Sequence, residues 1–183
     1  MGGLACFSQG KAGIAHGNGR IRAPGLCKQG APAPDRNPPS MTKPQPLARS
    51  AFRVWRSIPT RWMDNDAYGH VNNVVYYSWF DTAVNAYLIE NGALDVAHGA
   101  TIGLVVETHC NYFAPLSFPQ TVDVGLRVAH RGSSSVRYEL GIFGQGGDTA
   151  AAQGHFVHVY VDSQSRKPTA LPESLVSVLD ALL

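Results

Sequence analysis

The chain has 183 residues, with 15 Lys and Arg against 13 Asp and Glu and a formal net charge of +2. That sum hides a split, because residues 1–50 carry 7 basic residues and 1 acidic one while residues 51–183 carry 8 basic and 12 acidic. An acidic domain behind a basic leader gives no case for nucleic-acid binding by the domain, and no apolar run is long enough for a membrane span.

The leader, residues 1–50, holds 7 Pro and 8 Gly and almost no periodic apolar pattern. Such a composition buries too little surface to fold, so the segment is expected to be disordered. Met41 offers an alternative start that would remove most of it. The leader resembles a transit peptide in charge but lacks the amphipathic pattern, and Cys6 stands where a myristoylation signal after Gly2 would need Ser or Thr. Of the 3 cysteines, Cys6 and Cys27 lie in the leader and Cys110 in the domain, which suits a reducing, cytoplasmic setting. Residues 51–183 are long enough to bury one core and read as a single domain.

The domain opens with a predicted strand, Phe52 to Ile58. A polar run follows, Asp64-Asn65-Asp66-Ala67-Tyr68-Gly69-His70-Val71-Asn72-Asn73, which sets carboxylates, an imidazole and amides ahead of a helix. On composition alone it is also an ordinary turn, since Asp, Asn and Gly cap local backbone and tolerate unusual dihedrals. From Val74 to Asn91, Tyr76, Trp79, Phe80, Ala83, Val84, Tyr87 and Leu88 recur at spacings of three and four, the period of one helical face. Asn72 or Asn73 supplies an N-cap, and Gly92 the left-handed C-terminal stop. The polar run therefore feeds a helix N-terminus, where free N–H groups and the helix dipole favour a carboxylate or a developing oxyanion.

Beyond the helix the period becomes two. Val106, Thr108, Cys110 and Tyr112 form one inward row, followed by Val122 to Val128, Val136 to Ile142, and Phe156, His158 and Tyr160. Glu107, His109, Asn111, Asp123, Arg127, Arg137 and Glu139 occupy the opposite faces. Connections with Pro115, Pro119, Gly132 and the Gly144 to Asp148 cluster imply antiparallel hairpins or a meander. A short helix from Pro172 to Leu182 presents Leu175, Val178, Leu179 and Leu182 on one face. The expected class is α+β, one long helix wrapped by a curled antiparallel sheet of about five strands.

Taken together, Asp-x-x-x-His-Val-Asn-Asn-x-x-Tyr-Tyr at Asp66 to Tyr77, the apolar helix, and Tyr112-Phe113-Ala114-Pro115-Leu116 closing the next strand resemble the hotdog-fold acyl-CoA thioesterases of the 4-hydroxybenzoyl-CoA thioesterase type. The likeness runs from about Phe52 to about Val161. It implies hydrolysis of an acyl-CoA to acid and CoA, with Asp66 matching the family's catalytic carboxylate as nucleophile or general base, no cofactor and no metal. It also implies a homodimer or homotetramer whose sheets join edge to edge, with each site drawing on both chains. Capping of the turn is the alternative role for Asp66.

His70 could orient water, bond Asp66 or hold the turn through a backbone contact, and the last is favoured for a histidine in a tight polar loop. Asn73 is the better positioning group, because an amide bridges turn and helix without changing protonation. Tyr76 and Tyr77 divide between core and pocket wall, with Phe113 a further aromatic wall. By resemblance, an oxyanion donor lies in Ile102 to Leu104, with Gly103 the close-approach residue. The phosphate-binding stretch of relatives corresponds to His130-Arg131-Gly132-Ser133-Ser134-Ser135, where Arg131 is the one fixed cation and Ser133 and Ser134 add hydroxyls and N–H groups. That sparse charge leaves an acyl-carrier-protein thioester open as the substrate.

Other chemistries lack their motifs. There is no Gly-x-Ser-x-Gly elbow, no Walker-type phosphate loop and no Cys-x-x-Cys, and His155 and His158 would face opposite sides of one strand. Hotdog enoyl hydratases are the enzymatic alternative, but their Asp-x-Asn-Pro is absent and the spacing from Asp66 to His70 is shorter. A non-catalytic acyl-thioester binding module is the third alternative, against which stands the presence of Asp66.

Overall fold

The computed structural model describes residues 43–183, and the leader up to Thr42, including the alternative start at Met41, lies outside the described residues. The domain runs β1 (Val54–Pro59), α1 (Asn73–Glu90), β2 (Thr101–Tyr112), β3 (Thr121–Arg131), β4 (Ser135–Phe143), β5 (Ala152–Asp162) and α2 (Glu173–Asp180). The five strands form one antiparallel sheet in the order β1-β3-β4-β5-β2, and α1 packs on it against β1, β3 and β4. This is the α+β arrangement expected from the pattern and the hotdog fold that the resemblance implied.

Helix α1 forms where the period of three to four predicts it. Asn72 caps it by accepting from the N–H of Val74 at 3.2 Å, and Gly92 follows with φ of +69°, a left-handed conformation that costs glycine least. Tyr76, Trp79, Phe80, Ala83, Val84 and Leu88 are buried beneath it; Tyr87 is half-buried. The sheet answers with Val122, Val124, Leu126 and Val128 of β3, Val136, Tyr138, Leu140 and Ile142 of β4, and Phe156, His158 and Tyr160 of β5, all buried. Leu175, Leu179 and Leu182 seal the end of this core from the α2 side.

The other face of the sheet carries a small apolar cluster, Phe52, Phe143 and Ala150, and beside it a polar row. Arg127, Glu139, His155 and His109 stand in one register row across four strands, and Arg127 is ion-paired with Glu139.

Two features differ from the simple meander. First, β2 pairs with β5 and not with β3, so the eight residues Phe113–Gln120 carry the chain back across the end of the sheet. The gap is three strand spacings, about 14 Å, well within the reach of that segment. Second, a bulge between Val105 and Glu107 adds one residue to β2 and reverses its alternation, so Gly103, Val105 and Thr108 share a row with Cys110 and Tyr112. Val106, expected in the inward row, is instead 61% exposed. Most of β2 lies open, because α1 does not reach over this edge of the sheet.

Candidate active site

The turn between β1 and α1 is built from its own polar groups. Asp64 closes a 3-10 turn, Trp62–Asp64, and is 0% exposed. Its carboxylate accepts from the N–H, Nε and Nη2 of Arg61 at 2.7, 3.0 and 2.8 Å, and its carbonyl accepts the N–H of Asn72 at 2.8 Å. A charge buried this deeply is tolerated only when so fully bonded, which makes Asp64 the anchor of the helix entrance. The Arg61-x-x-Asp64 spacing is the sequence signal of this anchor.

Two residues on, Asp66 stands in a different setting. Asn65 and Val71 form an isolated bridge, the Asp66 N–H donates to the His70 carbonyl at 2.8 Å, and Gly69 turns the chain with φ of +80°. One carboxylate oxygen, Oδ1, accepts the N–H of Tyr68 at 2.8 Å and, more weakly, that of His70 at 3.4 Å. The carboxylate is thus oriented by main chain and left half-buried.

A cavity of about 400 Å³ gathers Asp66, His70, Asn73 and Tyr76 with Val71, Tyr112, Phe113, Ala114 and Pro115. Four of the residues expected at the site therefore meet here. His70 contributes through its backbone to the turn while its ring is exposed, and Asn73 is the first residue of α1. The N–H groups of a helix's first turn have no partner within the helix. Asn72 takes those of Val74, by its side chain, and Val75, by its carbonyl. Among the described residues no Lys or Arg lines the cavity. Burial pushes the Tyr76 hydroxyl up to about 12, with Cys110 adding to the rise, so the phenol stays a neutral donor at physiological pH.

The other expected residues lie elsewhere in this chain. Tyr77 does not line the cavity; its ring lies parallel over Phe156 at 6.4 Å, though its hydroxyl borders that of Tyr112. Gly103 pairs with Tyr160 inside β2, away from Asp66, and a Cβ there would sit 3.1 Å from His158 Nδ1. Arg131 ends β3 and is ion-paired with Asp180 at 3.1 Å, while the carbonyls of Ser133 and Ser134 accept the N–H groups of Leu171 and Tyr160. The start of β3 adjoins the Asp66 turn, so a strand of 11 residues separates that turn from Arg131, roughly 30 Å of extended chain. Tyr112 and Pro115, by contrast, line the cavity without having been singled out as site residues. Their clue was the Tyr-Phe-Ala-Pro-Leu run itself.

The thioesterase-like superfamily profile matches residues 60–179, which spans the polar turn, the helix and the whole sheet beyond β1. The chain belongs to the thioesterase-like superfamily. The PA5185 protein of Pseudomonas aeruginosa PAO1 has a crystal structure that is 54% identical, with a TM-score of 0.74, over 75% of this chain and 96% of that one. The PA2801 protein of Pseudomonas aeruginosa, a candidate thioesterase, is 29% identical with a TM-score of 0.65, over 74% of this chain and 99% of that one. A curated relative, the L-carnitine dehydrogenase/betainyl-CoA thioesterase of Agrobacterium fabrum, is 28% identical over 123 residues, 66% of this chain and 25% of that protein. The chain thus spans about a quarter of the length of that relative. Superfamily membership accords with the hotdog resemblance read from Asp66 to Tyr77.

Proposed function

We propose that this thioesterase-like protein hydrolyses acyl-CoA thioesters, with Asp66 as the attacking group. The observation that carries the proposal is the meeting, in one cavity, of an oriented carboxylate and the N-terminus of an 18-residue helix. Thioester hydrolysis needs both: a nucleophile or base on one side of the carbonyl, and donors for the oxyanion on the other. Asp66 adds its carboxylate oxygen to the carbonyl carbon and expels the thiolate, giving an anhydride that water opens, or it takes the proton from an attacking water. The N–H of Asn73 is the oxyanion donor in either route, supported by the positive end of the helix dipole. This replaces Gly103 within one chain. The thioesterase names of relatives support the same chemistry.

A second copy completes the site in this proposal. Among the described residues β2 has an unpaired edge of 12 residues with Leu104, Val105 and Val106 exposed, an arrangement that single chains avoid because it invites another strand. Antiparallel pairing of two such edges sets the Tyr112 end of one β2 beside the Thr101 end of the other. The loop from Arg131 to Ser135 and Gly103, both at the far end in one chain, then approach the Asp66 of its neighbour. That supplies the cation the cavity lacks.

Thiol release from short, medium, long and aryl acyl-CoAs, with wild type beside Asp66→Asn, tests the proposal. Turnover by the wild type that disappears in the variant is the expected result. Failure of the wild type to release thiol from any CoA ester overturns it. Single-turnover reaction in ¹⁸O water tests the first route: label in the Asp66 carboxylate reports an anhydride opened at the Asp66 carbonyl, whereas direct water attack places label only in the released acid.

A further inference from the structure

Tyr112 closes β2, and its hydroxyl donates to the main-chain carbonyl of Asn73 at 3.3 Å, across 39 positions of sequence. Its ring meets Tyr76 edge to face at 5.0 Å, so ring and hydroxyl both lie along the Asp66 cavity. The carbonyl it reaches belongs to the first residue of α1 and also accepts the N–H of Tyr77 in the helical ladder. First turns hold the fewest bonds and fray most readily. Here the Asn72 side chain caps the turn and the Asp64 carbonyl fixes the residue before it, both from within the polar loop. Tyr112 ties the same point to the sheet.

We infer that Tyr112 is a positioning residue: its hydroxyl, held on the Asn73 carbonyl, keeps Asn73, the first residue of α1, in register with the Asp66 carboxylate. The inference rests on the function proposed above, in which the N–H of the same residue, Asn73, is the oxyanion donor. A shift of the helix start by a fraction of an ångström would move the donor away from the developing charge while leaving the fold unchanged. Partial desolvation, with Cys110 and Tyr77 adding to it, keeps the Tyr112 phenol protonated well above neutral pH, so the hydroxyl remains a donor throughout the range in which hydrolysis would be measured.

Tyr112→Phe in the full chain keeps the ring against Tyr76 and removes only the donor. Expected are a kcat about three- to tenfold lower, as for loss of one neutral hydrogen bond, with KM within about twofold and the thermal midpoint unchanged. Backbone amide exchange at Tyr77, whose N–H shares the Asn73 carbonyl, should quicken in the variant. Unchanged exchange overturns the inference whatever the kinetics, and so does a raised KM with kcat intact, which would make the hydroxyl a substrate contact. Faster exchange with kcat unaltered also overturns it, since the helix start would then be held without consequence for turnover. If the wild type turns over no thioester, the proposed function fails, and exchange at Tyr77 alone decides whether the hydroxyl holds the helix start.

Discussion

β4 and β2 read alike in sequence, each alternating apolar and polar residues, yet they occupy opposite environments. β4 lies between β3 and β5, and its Val136, Tyr138, Leu140 and Ile142 are all 0% exposed. β2 has β5 on one side and nothing among the described residues on the other, and Val105 and Val106 stand 47% and 61% exposed. Alternation records that a strand has two faces; it does not record how many neighbours the strand has. The centre of the sheet is therefore where stability resides, while the edge, which ends in Tyr112 beside Asp66, is where the proposed site and the proposed association with a second copy lie.

Substitutions that act on one region and spare the other test this division. The largest effect is expected from Asp66→Ala at the rim. It should lower kcat/KM by a factor on the order of a thousand or more, with denaturant midpoint unchanged, because the group is half-buried and bonded only to local main chain. Near-wild-type turnover would remove Asp66 from the chemistry. At the centre, Leu140→Ala should cost about 2–5 kcal/mol by urea unfolding, as for a buried Leu whose cavity cannot collapse. Turnover of the remaining folded protein should be nearly unaltered, and a selective loss of kcat would show that the two regions are coupled.

Asp64→Ala lies between the two. It strips Arg61 of its acceptor and loosens the helix entrance, so a loss of about 1–3 kcal/mol is expected, together with a fall in kcat. A change in stability alone would confine Asp64 to the fold. His158 supplies a pH test of the centre. Its ring is buried, Nε2 has no hydrogen-bond partner among the described residues, and burial lowers its pKa from 6.5 against a smaller opposing pull from Asp81. The unfolded chain therefore binds the proton first. Stability should be full above pH 6.5 and fall as pH drops below it towards the folded value. His158→Gln should flatten that slope, and an unchanged slope would assign it to other groups. The smallest effect on the fold is expected at the open edge, where Val106→Lys should alter unfolding free energy by less than about 0.5 kcal/mol. It should still shift sedimentation toward the monomer, since an edge lysine opposes strand addition. Retention of the wild-type assembly would move the joint away from β2.

Much of this was legible in the chain. The three-to-four period from Tyr76 to Leu88 marks one buried helical face because a helix can cover the sheet on only one side. The period of two in β3, β4 and β5 marks the strands for the same reason. Asp66, His70, Asn73 and Tyr76 were found as a group because all four are local, within one turn and the start of one helix. Gly103, Arg131, Ser133 and Ser134 came from other elements, and a likeness of motif carried no information about distance. Tyr112 was hidden in plain alternation, since nothing local distinguishes a tyrosine that ends in the core from one that reaches a helix carbonyl.

Sequence by itself determined the local structure of this protein: the capped helix, the polar turn that precedes it, and the two-faced strands, each set by side chains within a few residues of one another. Tertiary structure alone decided that β2 pairs with β5, that a bulge turns Val106 outward, that Asp64 is buried while Asp66 faces a cavity, and that Arg131 lies at the opposite end of the sheet. Those outcomes depend on which long-range pairings bury the most apolar surface at once, a quantity that belongs to the whole chain and to no segment of it.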